Sequence, residues 1–220
     1  MLFRSHYNQF IPTTFPLGVQ IGSPNLNLGF HGIVEHGLAI NINGQDAENF
    51  YYVLSGLAGD APTNIPNSDY GTELQYIIDT DALSNQYSET ISNAFSAGTN
   101  LVTYPDSNLA NQLKTVARLI RGNMQSKVYL VTLGGFDTHN AQNQGSGDIL
   151  GKHNNLLSEL SEAVSAFMLD INADSIGEDV VGLTFSEFGR KAKENGSLGT
   201  DHGEVAPMFV FGRAVQSGIS

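Results

Sequence analysis

The chain has 220 residues, enough for one sizeable α/β core, and its 40% hydrophobic and 15% charged content excludes a disordered protein. Its 22 acidic residues against 10 basic ones leave a net charge of −12, which repels phosphate backbones and excludes nucleic acid as a general partner. There is no cysteine, so disulfides and thiolate metal sites are excluded too; any metal must be held by carboxylate, imidazole, carbonyl, hydroxyl or water.

Residues 1–66 are rich in Gly, Pro and Asn and read as extended segments joined by long loops. Within them, Phe15–Gly22 and Gly37–Gly44 have the length and alternation of short strands. Met1–His6 lacks the apolar core of a signal peptide, and Val215–Ser220 gives no helix stop. Both ends therefore read as cuts within a longer protein. No apolar run reaches the roughly 18 residues of a membrane span.

The remainder, 67–220, reads as an α/β core. Leu74, Ile77, Ile78, Leu83, Tyr87, Ile91 and Phe95 recur at three- and four-residue steps, which predicts one long helix or two over 69–97, stopped by Gly98. A second helix is expected after the N-cap Ser107, through Leu109, Leu113, Val116, Ala117 and Ile120, to Gly122. Val128–Leu133 reads as a buried strand ending in Gly134-Gly135. Residues 152–171 give the clearest helix, with Leu156, Leu157, Leu160, Val164, Phe167 and Met168 as its stripe. Val180–Phe185 and Met208–Gly212 complete the set as further buried strands. The order strand, helix, strand, loop, strand is that of a mostly parallel sheet flanked by helices.

In such a sheet, ligands gather beyond the carboxyl ends of the strands. Three chemistry-bearing segments are expected there: Gly135–His139, Ser186–Arg190 and Gly199–Gly203. Asp137 and His139, two apart, can close on one ion from a loop; the plainer reading is a turn carrying a surface Asp and His. Asp201-His202 between two glycines fits a metal pair or an Asx-type turn. Glu187 is an oxygen ligand or a helix N-terminal acid. Arg190 is an anion clamp or half of a surface ion pair. His153 lies in line with the apolar stripe of its helix, which favours a buried hydrogen-bonded histidine over a ligand. His6, His31 and His36 fall in the loop-rich third and rank below the others. Oxygen and nitrogen ligands together suit a borderline divalent metal, zinc first, with manganese or calcium as alternatives.

Gly134–His139, His153–Leu157, Thr184–Arg190, Asn195 and Gly199–Gly203 together resemble the signature of the domain-of-unknown-function family 1501. That family is grouped with the alkaline phosphatase and sulfatase superfamily. The resemblance implies an alkaline-phosphatase-like α/β fold, incomplete at the N-terminus here because the family's twin-arginine export signal and early Gly-Gly-Asp-like strand are not in the chain. It also implies a periplasmic or secreted protein, a divalent-metal site and a small-molecule or glycan phosphate or sulfate ester as substrate. Residue by residue, Asp137, His139 and His202 match the superfamily's first-metal set. Two departures stand out: Asp137 and His139 are two apart where the superfamily spaces its pair by four, and Ser186-Glu187-Phe188 replaces an Asp-His pair. An alternative alignment makes Asp201-His202 the second-metal pair. Glu187 and Arg190 are the candidate catalytic groups. The competing expectation is a non-catalytic envelope or polysaccharide-binding module on a degenerate hydrolase fold.

Overall fold

The computed structural model describes residues 14–22, 38–40, 62, 64–143 and 151–218. The chain divides into two units, Met1–Thr99 with Thr115–Thr132, and Asn100–Lys114 with Leu133–Ser220.

In the first unit three short strands form a parallel sheet: β1 (Gly18–Ile21), β2 (Leu38–Ile40) and β3 (Val128–Leu130). Their order is β2-β1-β3, with Val19 aligned to Leu38 on one side and Tyr129 on the other. β1 is the middle strand, and Val19 and Ile21 are fully buried. The Ser126 hydroxyl donates to Pro16 O at 2.6 Å, anchoring the entry to β3 beside the start of β1. Helix α1 runs unbroken over Asp69–Ala97, so the expected span forms one helix. Ser68 caps it by accepting from Gly71 N at 3.3 Å. Among its described residues the buried apolar ones are Tyr87, Ile91 and Ala94, beside the buried Ser88 and Ser92, whereas Ile77 is exposed. The end of α1 is fastened by Arg118, whose Nε donates to Phe95 O at 2.7 Å and Gly98 O at 2.9 Å while its guanidinium covers the Phe95 ring.

Helix α2 (Asn108–Arg121) crosses the boundary between the units. Ser107 accepts from Ala110 N at 3.2 Å, as expected of its N-cap. The helix ends at Gly122 for a different reason from the one the sequence suggests. The left-handed residue is Asn123 (φ 66°), and Gly122 is required because a Cβ there would run into the backbone of Ala94.

In the second unit helix α3 (Lys152–Asn172) buries Ala163, Ala166, Phe167, Asp170 and Ile171. The expected stripe is therefore shifted toward the C-terminus, and Leu157 is 36% exposed. Asp170 is fully buried and accepts hydrogen bonds from Asn100 Nδ2, Leu101 N and Tyr104 Oη, each at 2.9 Å. After a short 3-10 helix (Ser175–Asp179), β4 (Val181–Leu183) pairs antiparallel with β7 (Val210–Gly212), and β5 (Gly189–Arg190) pairs antiparallel with β6 (His202–Gly203).

This corrects the expected sheet. The protein is mixed α/β, but among the described residues its parallel sheet comprises β1–β3. The segments 180–185 and 208–212 form an antiparallel ribbon rather than buried parallel strands. A strand buried on both faces needs a covering layer on each. Val181, Leu183 and Val210, the cross-strand partner of Leu183, are instead 56%, 56% and 50% exposed. Among the described residues no helix is long and apolar enough to cross a membrane.

Candidate metal centre

Phe136–His139 is a tight turn rather than a strand. Gly135 enters it with φ +95°, a conformation that costs glycine nothing. Thr138 N donates to Phe136 O at 2.8 Å, closing a three-residue loop. Thr138 is turned in and buried, and its neighbours Asp137 and His139 stand exposed on either side of it.

The third residue arrives through the β5–β6 ladder. Arg190 pairs directly with His202, and Gly189 with Gly203. Arg190 N donates to Val205 O at 2.8 Å and Lys191 N to Asp201 O at 2.9 Å. Directly opposed residues of an antiparallel pair project to the same side, so Arg190 and His202 both reach Asp137.

Asp137 Oδ1 is the point of convergence. His139 Nε2 and His202 Nε2 each lie 3.0 Å from it, and Arg190 Nη2 lies 3.1 Å away. The hydrogen bond from His202 holds the Asp137 carboxyl below its ordinary value; loss of solvent opposes this, and the charges of His139, His202 and Arg190 add to the lowering. The two imidazoles lie 4.8 Å apart, centroid to centroid, and Phe188 stacks on His202 at 4.3 Å and 20°. One carboxylate oxygen and two imidazole nitrogens, all within 4.8 Å of one another and all exposed, form a group able to hold a metal ion. Three protein ligands with an open side is the arrangement of sites that keep a coordination position for water or substrate.

The remaining candidates occupy other places. Glu187 is exposed and lies outside the group. Asp201 is also outside it: its Oδ1 lies 3.8 Å from the other ring nitrogen of His139, Nδ1. The Arg190 side chain is only 16% exposed and is turned onto the protein. It donates to Phe136 O at 2.6 Å and to Thr200 O, tying the 136–139 turn to the strand that carries His202. His153 packs edge-on against Phe136, and its buried Nδ1 has no hydrogen-bond partner among the described residues. It is thus packed against Phe136 with no hydrogen bond at that nitrogen. His6, His31 and His36 lie outside the described residues.

Sequence reasoning gave no role to Phe188, whose stacking on His202 has no signal beyond its place next to Glu187. It also missed how the loops flanking the site are laced. Ala141 N donates to Ser197 O, Gln142 N to Leu198 O, and Thr200 Oγ1 to Gln142 Oε1. Gly199 passes so close to His139 that a Cβ would strike the His139 carbonyl. Ala141 (φ 47°) and Leu198 (φ 55°) are held in the left-handed region on these facing loops, a strain of about 1–3 kcal/mol each that the surrounding bonds must offset.

The fold and the site define a mixed α/β protein with a candidate metal centre of one aspartate and two histidines. Residues 86–220 match the family model described as Protein of unknown function (DUF1501), and the chain belongs to that family. No curated protein and no solved structure matches it.

Proposed function

We propose that this protein is a metal-dependent hydrolase of phosphate or sulfate esters, acting in the periplasm or outside the cell on a small-molecule or glycan ester. The observation that carries the reading is the convergence of His139 and His202 on the Asp137 carboxylate. The ester class, the location and the alkaline-phosphatase-like plan come from the family resemblance, supported here by the chain order of Asp137, His139 and His202. Zinc fits the donor set best, since it accepts imidazole and carboxylate together. Calcium, which takes six to eight oxygens, fits two imidazoles poorly.

Bound there, zinc would supply Lewis-acid polarisation of an ester oxygen. The chain's own residues hold the site in place. The hydrogen bond from His202, with the Arg190 guanidinium beside it, favours the ionised form of Asp137, and Arg190 fixes the turn that presents Asp137 and His139. No residue of the chain is assigned as the nucleophile.

The test is metal analysis of the purified protein with turnover of aryl phosphate and aryl sulfate, before and after Asp137→Ala and His202→Ala. Loss of bound zinc and of turnover in both variants is expected. Unchanged metal content in both would sink the reading.

A second reading, a non-catalytic polysaccharide-binding module, is favoured by one observation: the Arg190 guanidinium is turned onto Phe136 O and Thr200 O rather than held out for an anion. Glycan binding without ester turnover would select it.

A further inference from the structure

We propose that Asp201 and Asn195 are positioning residues of the metal centre, which hold His139 so that Nε2 faces the ion and Nδ1 carries the proton. The inference rests on the zinc-centre reading above and assigns Asp201 a different task from that of a ligand.

An imidazole that binds a metal through one nitrogen presents the other to its surroundings. A carboxylate at that second nitrogen fixes both the tautomer and the ring orientation. His139 has a carboxylate facing each of its ring nitrogens. Its Nε2 is 3.0 Å from Asp137 Oδ1, and its Nδ1 is 3.8 Å from Asp201 Oδ1. The second distance is longer than a hydrogen bond, so the Asp201 carboxylate faces Nδ1 without bonding to it in this geometry. The Asp201 carboxylate lies outside the three-residue group itself.

Asp201 is in turn held from two sides. Asn195 Nδ2 donates to Asp201 Oδ1 at 3.1 Å and to the backbone carbonyl of His139 at 2.8 Å. One amide group thus grips the carboxylate and the residue it orients. The direction of that amide is fixed by its other end, because Asn195 Oδ1 accepts from Ser197 N at 3.0 Å. Lys191 Nζ lies 3.4 Å from Asp201 Oδ2. Gly199 supplies the clearance at the His139 carbonyl that this approach requires.

The competing explanation is that Asn195 and Asp201 merely tie two loops together. Zinc affinity, measured by competition with a chromophoric chelator on the 220-residue chain, separates the two. Asp201→Asn keeps an acceptor for Asn195 and removes the charge. It should weaken zinc binding about 10- to 100-fold with an unchanged melting temperature of the metal-free protein. Asp201→Glu should recover part of the loss. Cobalt(II) absorption should shift in Asp201→Asn, and the nitrogen chemical shifts of His139 in the zinc-loaded wild type should show Nε2 ligated and Nδ1 protonated. Wild-type zinc affinity in Asp201→Asn, or ligation of His139 through Nδ1, would overturn the positioning role and leave the metal centre standing. Failure of the wild-type chain to bind zinc would overturn the centre itself, and the positioning role with it.

Discussion

Arg190 and His202 sit directly across from each other in the β5–β6 ladder, and both reach the same atom, Asp137 Oδ1, at 3.1 and 3.0 Å. Two residues twelve positions apart in sequence thus act on one carboxylate because a two-residue antiparallel pairing places them side by side. The guanidinium spans Phe136 O, Thr200 O and Asp137, a task that needs its planar fork. Arg190→Ala is expected to lower stability by about 3 kcal/mol, because it removes charged hydrogen bonds to partly buried carbonyls. Arg190→Lys should recover less than half of that, since an ammonium cannot bridge both carbonyls. Urea denaturation of the metal-free protein measures both.

His153 should make the protein acid-sensitive. Burial, with the charge of Arg190 adding to it, depresses its folded-state pKa below the ordinary histidine value. As pH falls through about 6.5, the unfolded chain takes up this proton and the folded chain does not. The associated stability is present above that pH and is lost on acidification down to the folded-state pKa. His153→Leu should flatten the slope of stability against pH between about 7 and 5. An unchanged slope would show that His153 titrates alike in both states.

Asp170 anchors the segment that precedes α2. Its carboxylate takes hydrogen bonds from Asn100, Leu101 and Tyr104 in a fully buried position. Asp170→Ala strands all three donors and should cost about 3–5 kcal/mol, enough to unfold a marginal domain. Thermal unfolding followed by circular dichroism would read it. Tyr104→Phe, which removes one of the three, should cost about 1 kcal/mol.

Tyr129 is the converse case. Its hydroxyl is buried with no hydrogen-bond partner among the described residues, and burial raises its pKa well above the ordinary phenol range. As pH rises past about 10, the unfolded chain loses this proton while the folded chain retains it, so stability falls there. Tyr129→Phe removes an unsatisfied group and should stabilise the protein by about 1 kcal/mol at neutral pH. It should also reduce the alkaline loss, as measured by denaturation at pH 8 and pH 11.

Local chemistry was legible in the sequence. Ser107 could be named as a helix cap because a side-chain oxygen can reach the free N–H groups of a first turn, a relation spanning three residues. Asp137, His139 and His202 could be singled out as candidate ligands because oxygen and imidazole donors are recognisable as types, and their motif carried the family. What lies around those ligands could not be read in this way. The pairing of Val181–Leu183 with Val210–Gly212 is antiparallel, and a short apolar run does not encode the direction or the burial of its partner. Glu187 stands apart from the group while Phe188 stacks on His202, a one-residue difference set by the path into β5. Arg190 turned inward and Asp201 placed behind His139 are consequences of a ladder and an asparagine bridge that join distant residues. The sequence by itself determined which groups can bind a metal and where helices start. Only the tertiary structure decided which of them meet, because convergence on one oxygen depends on long-range register, and register is a property of paired segments rather than of either one.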